Sequence, residues 1–225
     1  GLSPDHAKNT AWFARLMRAP ELRGLVSLTV VLIHDIGVAL AEATHLTSLT
    51  SLELHSCEID MDGLRELVCA PQLRGLNELA LCSMELSEEG ASVLAKACLP
   101  RLKTLNLANS QVGSAGMEVL ATSSWLAQVK HLDLSFTQLG DRGAIALAAS
   151  PELSCRSLEL DGNELGDARA CALATSTSLV GLVRLNLCDN EIRDVGAQSL
   201  AGSASLAKLV ELDLGFNPIG DEGAL

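Results

Sequence analysis

A leucine pair, L-x-L, recurs along the chain at a nearly constant interval, and that interval limits what the chain can fold into. The first leucines of the pairs are Leu28, Leu52, Leu79, Leu105, Leu132, Leu158, Leu185 and Leu212, separated by steps of 24, 27, 26, 27, 26, 27 and 27 residues. The text around them repeats too, as "LDLSFTQLGDRGAIAL" from Leu132, "LELDGNELGDARACAL" from Leu158 and "LDLGFNPIGDEGAL" from Leu212. Self-similarity at this period marks a stack of supersecondary units, each of which buries its apolar face only against its neighbours. The 225 residues therefore form a single domain, 1–225, whose size is set by copy number.

One copy is enough to derive the unit. In "LVRLNLCDNEIRDVGAQSLA", Leu182, Leu185 and Leu187 fall on alternating sides from Arg184, Asn186 and Cys188, the period of a short strand with one apolar face. Asn190 ends the strand, where a buried amide can satisfy backbone groups exposed as the chain turns. Ile192 returns to the core. Asp194 stands where a helix needs an N-cap, as do Ser114, Asp141, Asp167 and Asp221 in other copies. The Gly and Ala of "VGAQSLA" let that helix approach the sheet closely. Stacked strands lie about 4.8 Å apart and packed helices roughly 8–10 Å apart. The mismatch predicts a strongly curved stack with the strands inside.

This frame, L-x-x-L-x-L-x-x-N followed by "NxIGDxGAxxLA" wording at 217–225, resembles the ribonuclease-inhibitor-like leucine-rich repeats. It is most similar to the GALA-type and Ran GTPase-activating-protein-type variants. The resemblance covers about residues 22–225 and implies an α/β solenoid, a horseshoe with a parallel sheet on the concave face and helices on the convex face. It also implies protein binding on the concave face. Two further roles follow from it: GTPase activation, for which no catalytic residue matches by position, and service as the substrate-recognition arm of a ubiquitin ligase or immune receptor.

Several positions depart from the frame. The asparagine column reads Ile33, Cys57, Met84, Ser110, Thr137, Asn163, Asn190 and Asn217, so compensating backbone contacts or irregularity are expected at Ile33 and Met84. The helix-start glycine is replaced by Arg169, an expected local bulge. At the front, "WFARLMRAPELRGL" (12–25) matches "GLRELVCAPQLRGL" (63–76) in register. Residues 1–21 are thus expected to be the capping helix of a partial repeat, started by Ser3, Pro4 and Asp5, with Trp12 and Phe13 covering the open end. About eight repeats of 24–27 residues follow over 22–225, the last expected to be truncated.

Composition narrows the functions. A net charge of −12 argues against a nucleic-acid partner, since phosphates attract a surplus of Lys and Arg. No apolar run is long enough to span a membrane. The seven cysteines are odd in number and lack metal-ligand spacing. They read as free thiols in a reducing intracellular compartment, such as the cytoplasm. No cofactor or metal is expected.

The outward strand positions supply the candidate binding face. The position inside each pair gives Glu53, Asp133, Glu159, Asn186 and Asp213; the one before gives Glu78, His131, Arg184 and Glu211. The two positions after add His55, Asp161 and Asp189, with Phe136 and Phe216 as the large aromatics. Three readings stand open: a merely solvated face, weak divalent-cation binding, or recognition of a basic protein with Phe136 and Phe216 as anchors. Catalysis is not expected, because Cys188 has no histidine in its own repeat and an open sheet does not exclude water.

Overall fold

The computed structural model describes residues 4–223. Eight strands form one parallel sheet in sequence order: β1 (Ser27–Val31), β2 (Ser51–His55), β3 (Glu78–Cys82), β4 (Thr104–Asn106), β5 (His131–Asp133), β6 (Ser157–Glu159), β7 (Arg184–Asn186) and β8 (Glu211–Asp213). The paired leucines are in register throughout, from Leu28↔Leu52 to Leu185↔Leu212. Each strand is followed on the opposite side by the chain's return. Helices occupy that side: α1 (Pro4–Met17), α2 (Ile36–Glu42), α3 (Met61–Cys69), α4 (Ser87–Ala95), α5 (Gly113–Leu120), α6 (Gly140–Ala149), α7 (Asp167–Ala174) and α8 (Asp194–Ala201). The result is the expected α/β leucine-rich solenoid, with strands on its inner face and helices on its outer one.

Between the layers lies one continuous core of Leu, Ala and Val, in which Leu182, Leu185, Leu187 and Ile192 are fully buried, as the alternation requires. The matched front segments form matched structure. Short 3-10 turns at Pro20–Gly24 and Pro71–Gly75 each open on proline, whose fixed φ suits a first helical position. Helix α1 opens at Pro4; Ser3, part of the expected start, lies outside the described residues, as do Ala224 and Leu225. Phe13 and Met17 cover the first core layer, while Trp12 remains half exposed with its ring edge-on to Phe13. A helix face one residue wide can turn only one of two adjacent aromatics inward.

Two expectations about the helix starts are corrected. The glycines there face a neighbouring helix, not the sheet: a Cβ on Gly37 would lie 2.6 Å from the backbone of Gly63 in the following helix, and one on Gly116 would lie 2.9 Å from the Ala91 Cβ in the preceding one. The capping residues likewise serve a neighbour. Asp167 Oδ1 accepts from the backbone N–H groups of Arg193 (2.7 Å) and Gly196 (2.9 Å), at the start of the next helix. Asp194 Oδ1 accepts from Gly220 N–H (2.6 Å), and Ser114 Oγ donates to the Leu139 carbonyl (2.8 Å). Asp167 and Asp194 are already the first residues of α7 and α8, so their carboxylates project along the stack. Among the described residues only Asp60 caps its own helix, accepting from Gly63 N–H at 2.7 Å.

Arg169 causes no bulge; α7 runs through it regularly. Its guanidinium pairs with Asp141 of the preceding repeat. Where a glycine would have let Asp141 reach a backbone N–H, the arginine brings its own donor to the same carboxylate.

Candidate interaction surface

Every repeat turns away from the sheet through one residue in left-handed backbone, four positions after the first leucine. The row is Leu32, Ser56, Ser83, Asn109, Phe136, Gly162, Asp189 and Phe216, with φ between 50° and 62°. Gly162 meets that conformation without cost, and Asn109 and Asp189 tolerate it. Phe136 and Phe216 carry roughly 1–2 kcal/mol of backbone strain each and remain 44% and 87% exposed. The Phe136 ring lies over Gly162, where a Cβ would sit 2.1 Å from the ring. The glycine therefore supports the aromatic platform beside it.

The residues inside the leucine pairs are less free than their outward direction suggests. Asp133 Oδ1 accepts from the Ser135 N–H (3.0 Å) and hydroxyl (2.6 Å). Asn186 accepts from Cys188 N–H (2.9 Å), Asp213 from Gly215 N–H (2.8 Å) and Asn106 from Ala108 N–H (2.8 Å). These are Asx turns, in which a short polar side chain caps its own strand end. Asn186, expected to be free for a partner, is thus a turn-forming residue whose amide also reaches Asp161 (3.4 Å). Glu159 is too long for that geometry and instead accepts from the Ser157 hydroxyl at 3.0 Å.

The sheet brings the predicted carboxylates into one row. Asp133 is directly opposite Glu159, Glu159 opposite Asn186, and Asn186 opposite Asp213. Asp161 and Asp189 follow at the strand ends. Arg184 and Glu211 pair with each other at 2.9 Å. Glu53 and His55 also form a local pair (3.4 Å), and Glu78 accepts from the Ser51 hydroxyl (3.3 Å). His131 is exposed at the start of β5. The two ends of the face therefore differ: charges near β2 and β3 are engaged locally, while those from β5 to β8 lie beside the two exposed phenylalanines.

The thiols on this face are held protonated. Burial, followed by the charges of Asp133 and Glu53, pushes Cys82 up to about 11. Cys188 is raised by desolvation first and then by Asp213, Asp161 and Asp189. A thiol among carboxylates is a poor nucleophile. All seven cysteines are free. Among the described residues no group of three or more His, Cys, Asp and Glu could hold a metal ion, and no helix is long and apolar enough to cross a membrane.

One row of this face lies outside the columns set by the leucine pair. Two residues before each first leucine stand Val26, Thr50, Asn77, Lys103, Lys130, Arg156, Val183 and Val210. Three consecutive cations at intervals of 27 and 26 residues are a periodic signal as plain as the leucines. They stand beside the carboxylates of the outward strand positions. Lys103, Lys130 and Arg156, with Asn77, Glu78, Thr104 and His131, line an open cleft of about 580 Å³.

Comparison with known proteins agrees with this geometry. A leucine-rich repeat model matches residues 45–68, 99–121, 129–148, 182–201 and 205–225. No curated protein matches the chain. Among solved structures, a Bacteroides fragilis protein is similar with a TM-score of 0.55 at 14% identity, over 100% of this chain and 76% of that one. TLR13, in its complex with ssRNA13, is similar with a TM-score of 0.55 at 18% identity, over 91% of this chain. The chain spans 32% of TLR13's length. At these identities the likeness is one of fold. With the repeat model falling on the same leucine frame that builds the eight-stranded sheet, the chain belongs to the leucine-rich repeat proteins.

Proposed function

We propose that this domain is a protein-interaction module that takes a basic segment of a partner along the inner face of β5 to β8. The observation that carries this reading is the placement of Phe136 and Phe216. Both are exposed in strained left-handed backbone beside the Asp133–Glu159–Asp213 row, in a chain with only three phenylalanines. Exposed aromatics flanked by charge are the composition of binding hot spots. The carboxylates supply steering and register to a basic partner. Free, protonated thiols fit a reducing intracellular setting, which belongs to the same proposal.

Binding of a labelled oligolysine peptide, followed by anisotropy at rising salt, tests it. The Asx turns dictate the variants: Asp133→Asn and Asp213→Asn keep the turn acceptor while removing charge, and Glu159→Gln matches them. The triple variant is expected to bind at least about tenfold more weakly and with a shallower salt dependence. Phe136→Ala should weaken binding further without changing the salt slope. Equal binding by the wild type and the triple variant would sink the proposal.

A further inference from the structure

The inner face carries two opposite charges in two parallel rows, and we infer that the cationic row formed by Lys103, Lys130 and Arg156 is a second docking site, for a carboxylate-bearing segment of a protein partner. The inference rests on reading this face as a docking surface, and names a partner chemistry opposite to that of the carboxylate row.

Backbone pairing fixes the three cations on successive rungs. Lys103 N–H donates to the Asn77 carbonyl (2.8 Å), Lys130 N–H to that of Lys103 (2.7 Å), and Arg156 N–H to that of Lys130 (2.7 Å). Their Cα atoms are therefore about one strand spacing, ~4.8 Å, apart. Like charges so placed repel unless anions lie between them.

The protein supplies few anions. Lys130 Nζ is steadied by the Ser154 hydroxyl (2.9 Å) and carbonyl (3.2 Å), both neutral. Lys103 and Arg156 are exposed and have no side-chain partner among the described residues. Elsewhere on the molecule five arginines are paired, Arg18 with Glu42, Arg65 with Glu89, Arg142 with Glu118, Arg169 with Asp141 and Arg184 with Glu211, while Arg23, Arg74, Arg101 and Arg193 are exposed without a side-chain partner among the described residues. What sets this row apart in a chain with 28 acidic and 16 basic residues is that its three cations stand on consecutive rungs without a carboxylate bound to any of them. His131 and Thr104, one residue further along the strands, add hydrogen-bonding groups to the same cleft.

Geometry selects the kind of anion. Three rungs span only about 10 Å, room for two or three carboxylates on a short segment crossing the strands. A nucleic-acid strand suits the site poorly. Its phosphates would run on beside Asp133 and Glu159, and the cleft offers no phenylalanine or tryptophan for its bases to stack on. The partner that satisfies both rows is dipolar: an acidic stretch over the strand starts and a basic one over the strand centres, about three residues, or roughly 10 Å, apart.

Anisotropy with a labelled oligoglutamate peptide at low ionic strength is the test, with a single-stranded RNA oligonucleotide as the competing probe. We expect oligoglutamate to bind, the Lys103→Gln/Arg156→Gln variant to bind it about tenfold more weakly, and the charge-keeping Lys103→Arg/Arg156→Lys variant to retain binding. Circular dichroism of each variant reads folding separately; all four substitutions are at exposed side chains. No oligoglutamate binding by the wild type, equal binding by the neutral variant, or preferential binding of RNA through the same residues would each overturn the inference. The oligolysine experiment reads the carboxylate row with different variants, so either row can fail alone.

Discussion

The first three repeats and the last three solve one hydrogen-bonding problem in two ways. In β1, β2 and β3 the strand continues for five residues, and pairing extends to Val31↔His55 and His55↔Cys82. From β4 onward it stops after three. In the last three repeats an asparagine side chain donates to the carbonyl two places after the first leucine of the preceding repeat: Asn163 Nδ2 to Leu134 (2.8 Å), Asn190 to Leu160 (3.0 Å) and Asn217 to Leu187 (2.8 Å). The strand N–H released at that level is taken up by an Asx turn in β7 and β8. Where the column holds Ile33, Cys57 and Met84, no amide is available and the regular ladder carries on. The longer strands are thus the compensating backbone contacts expected at Ile33 and Met84. Ser110 and Cys57 form an intermediate series, each donating to the same carbonyl of its preceding repeat.

The largest test of that contrast is Asn163→Ala. Asn163 is buried; its Oδ1 accepts from the N–H groups of Thr137 (3.2 Å) and Leu139 (3.0 Å), while its Nδ2 donates to Leu134 and Leu160. Stranding several buried backbone groups should cost about 3 kcal/mol or more in urea denaturation. Met84→Leu, at the same position of the third repeat, should cost less than about 1.5 kcal/mol, because only packing changes. Similar losses for the two would break the comparison.

Next come the helix starts. Gly37→Ala would drive a Cβ into the backbone of Gly63, which cannot yield, and should cost toward the upper end of about 1–3 kcal/mol. Gly196→Ala meets the Asp167 carboxylate at 2.7 Å and the Ala170 Cβ at 3.0 Å. These can shift in part, so a smaller loss is expected by thermal unfolding. Asp167→Ala should cost about 1 kcal/mol, the worth of an N-cap, and Asp167→Asn less; hydrogen exchange should place the loosening at Arg193 to Gly196, in the following helix.

The smallest effect is nil at neutral pH. Burial raises Cys57, and it pushes Cys82 up to about 11 and Cys155 to about 12, so the fold favours the neutral thiols. Their contribution is fully present below the ordinary value of 9.0 and is lost as pH rises through about 11 and 12. Stability should therefore fall only on the alkaline side, and Cys155→Ala should flatten that fall. A thiol reagent at neutral pH should label Cys69 and Cys98 first, since both are exposed.

The layer order, strand register and asparagine column were legible because each depends on spacing within one repeat. Leu185, Leu187, Ile192 and Asn190 do what the period says they do. Contacts between repeats were not: Asp194 stands at the start of its own helix, and nothing in a linear frame tells whether its carboxylate turns inward or onward to Gly220. The same limit hid the Asx role of Asn186, which competes with outward exposure at an unchanged position. The row from Lys103 to Arg156 was in plain view at the repeat period, one place outside the columns that the leucine pair draws attention to.

Because Asp167 and Asp194 each reach forward 26 residues, and Asn163, Asn190 and Asn217 each reach back 29 or 30, all across a single boundary, the seams between the later repeats are chemically alike. A duplication or excision of one whole unit from this part of the gene would rejoin matching seams, with every donor meeting its acceptor. The array can thus change length in a single genetic event, while the Phe136–Gly162 contact and the Arg169–Asp141 pair both mark the one seam, between the fifth and sixth repeats, where such an exchange would be felt.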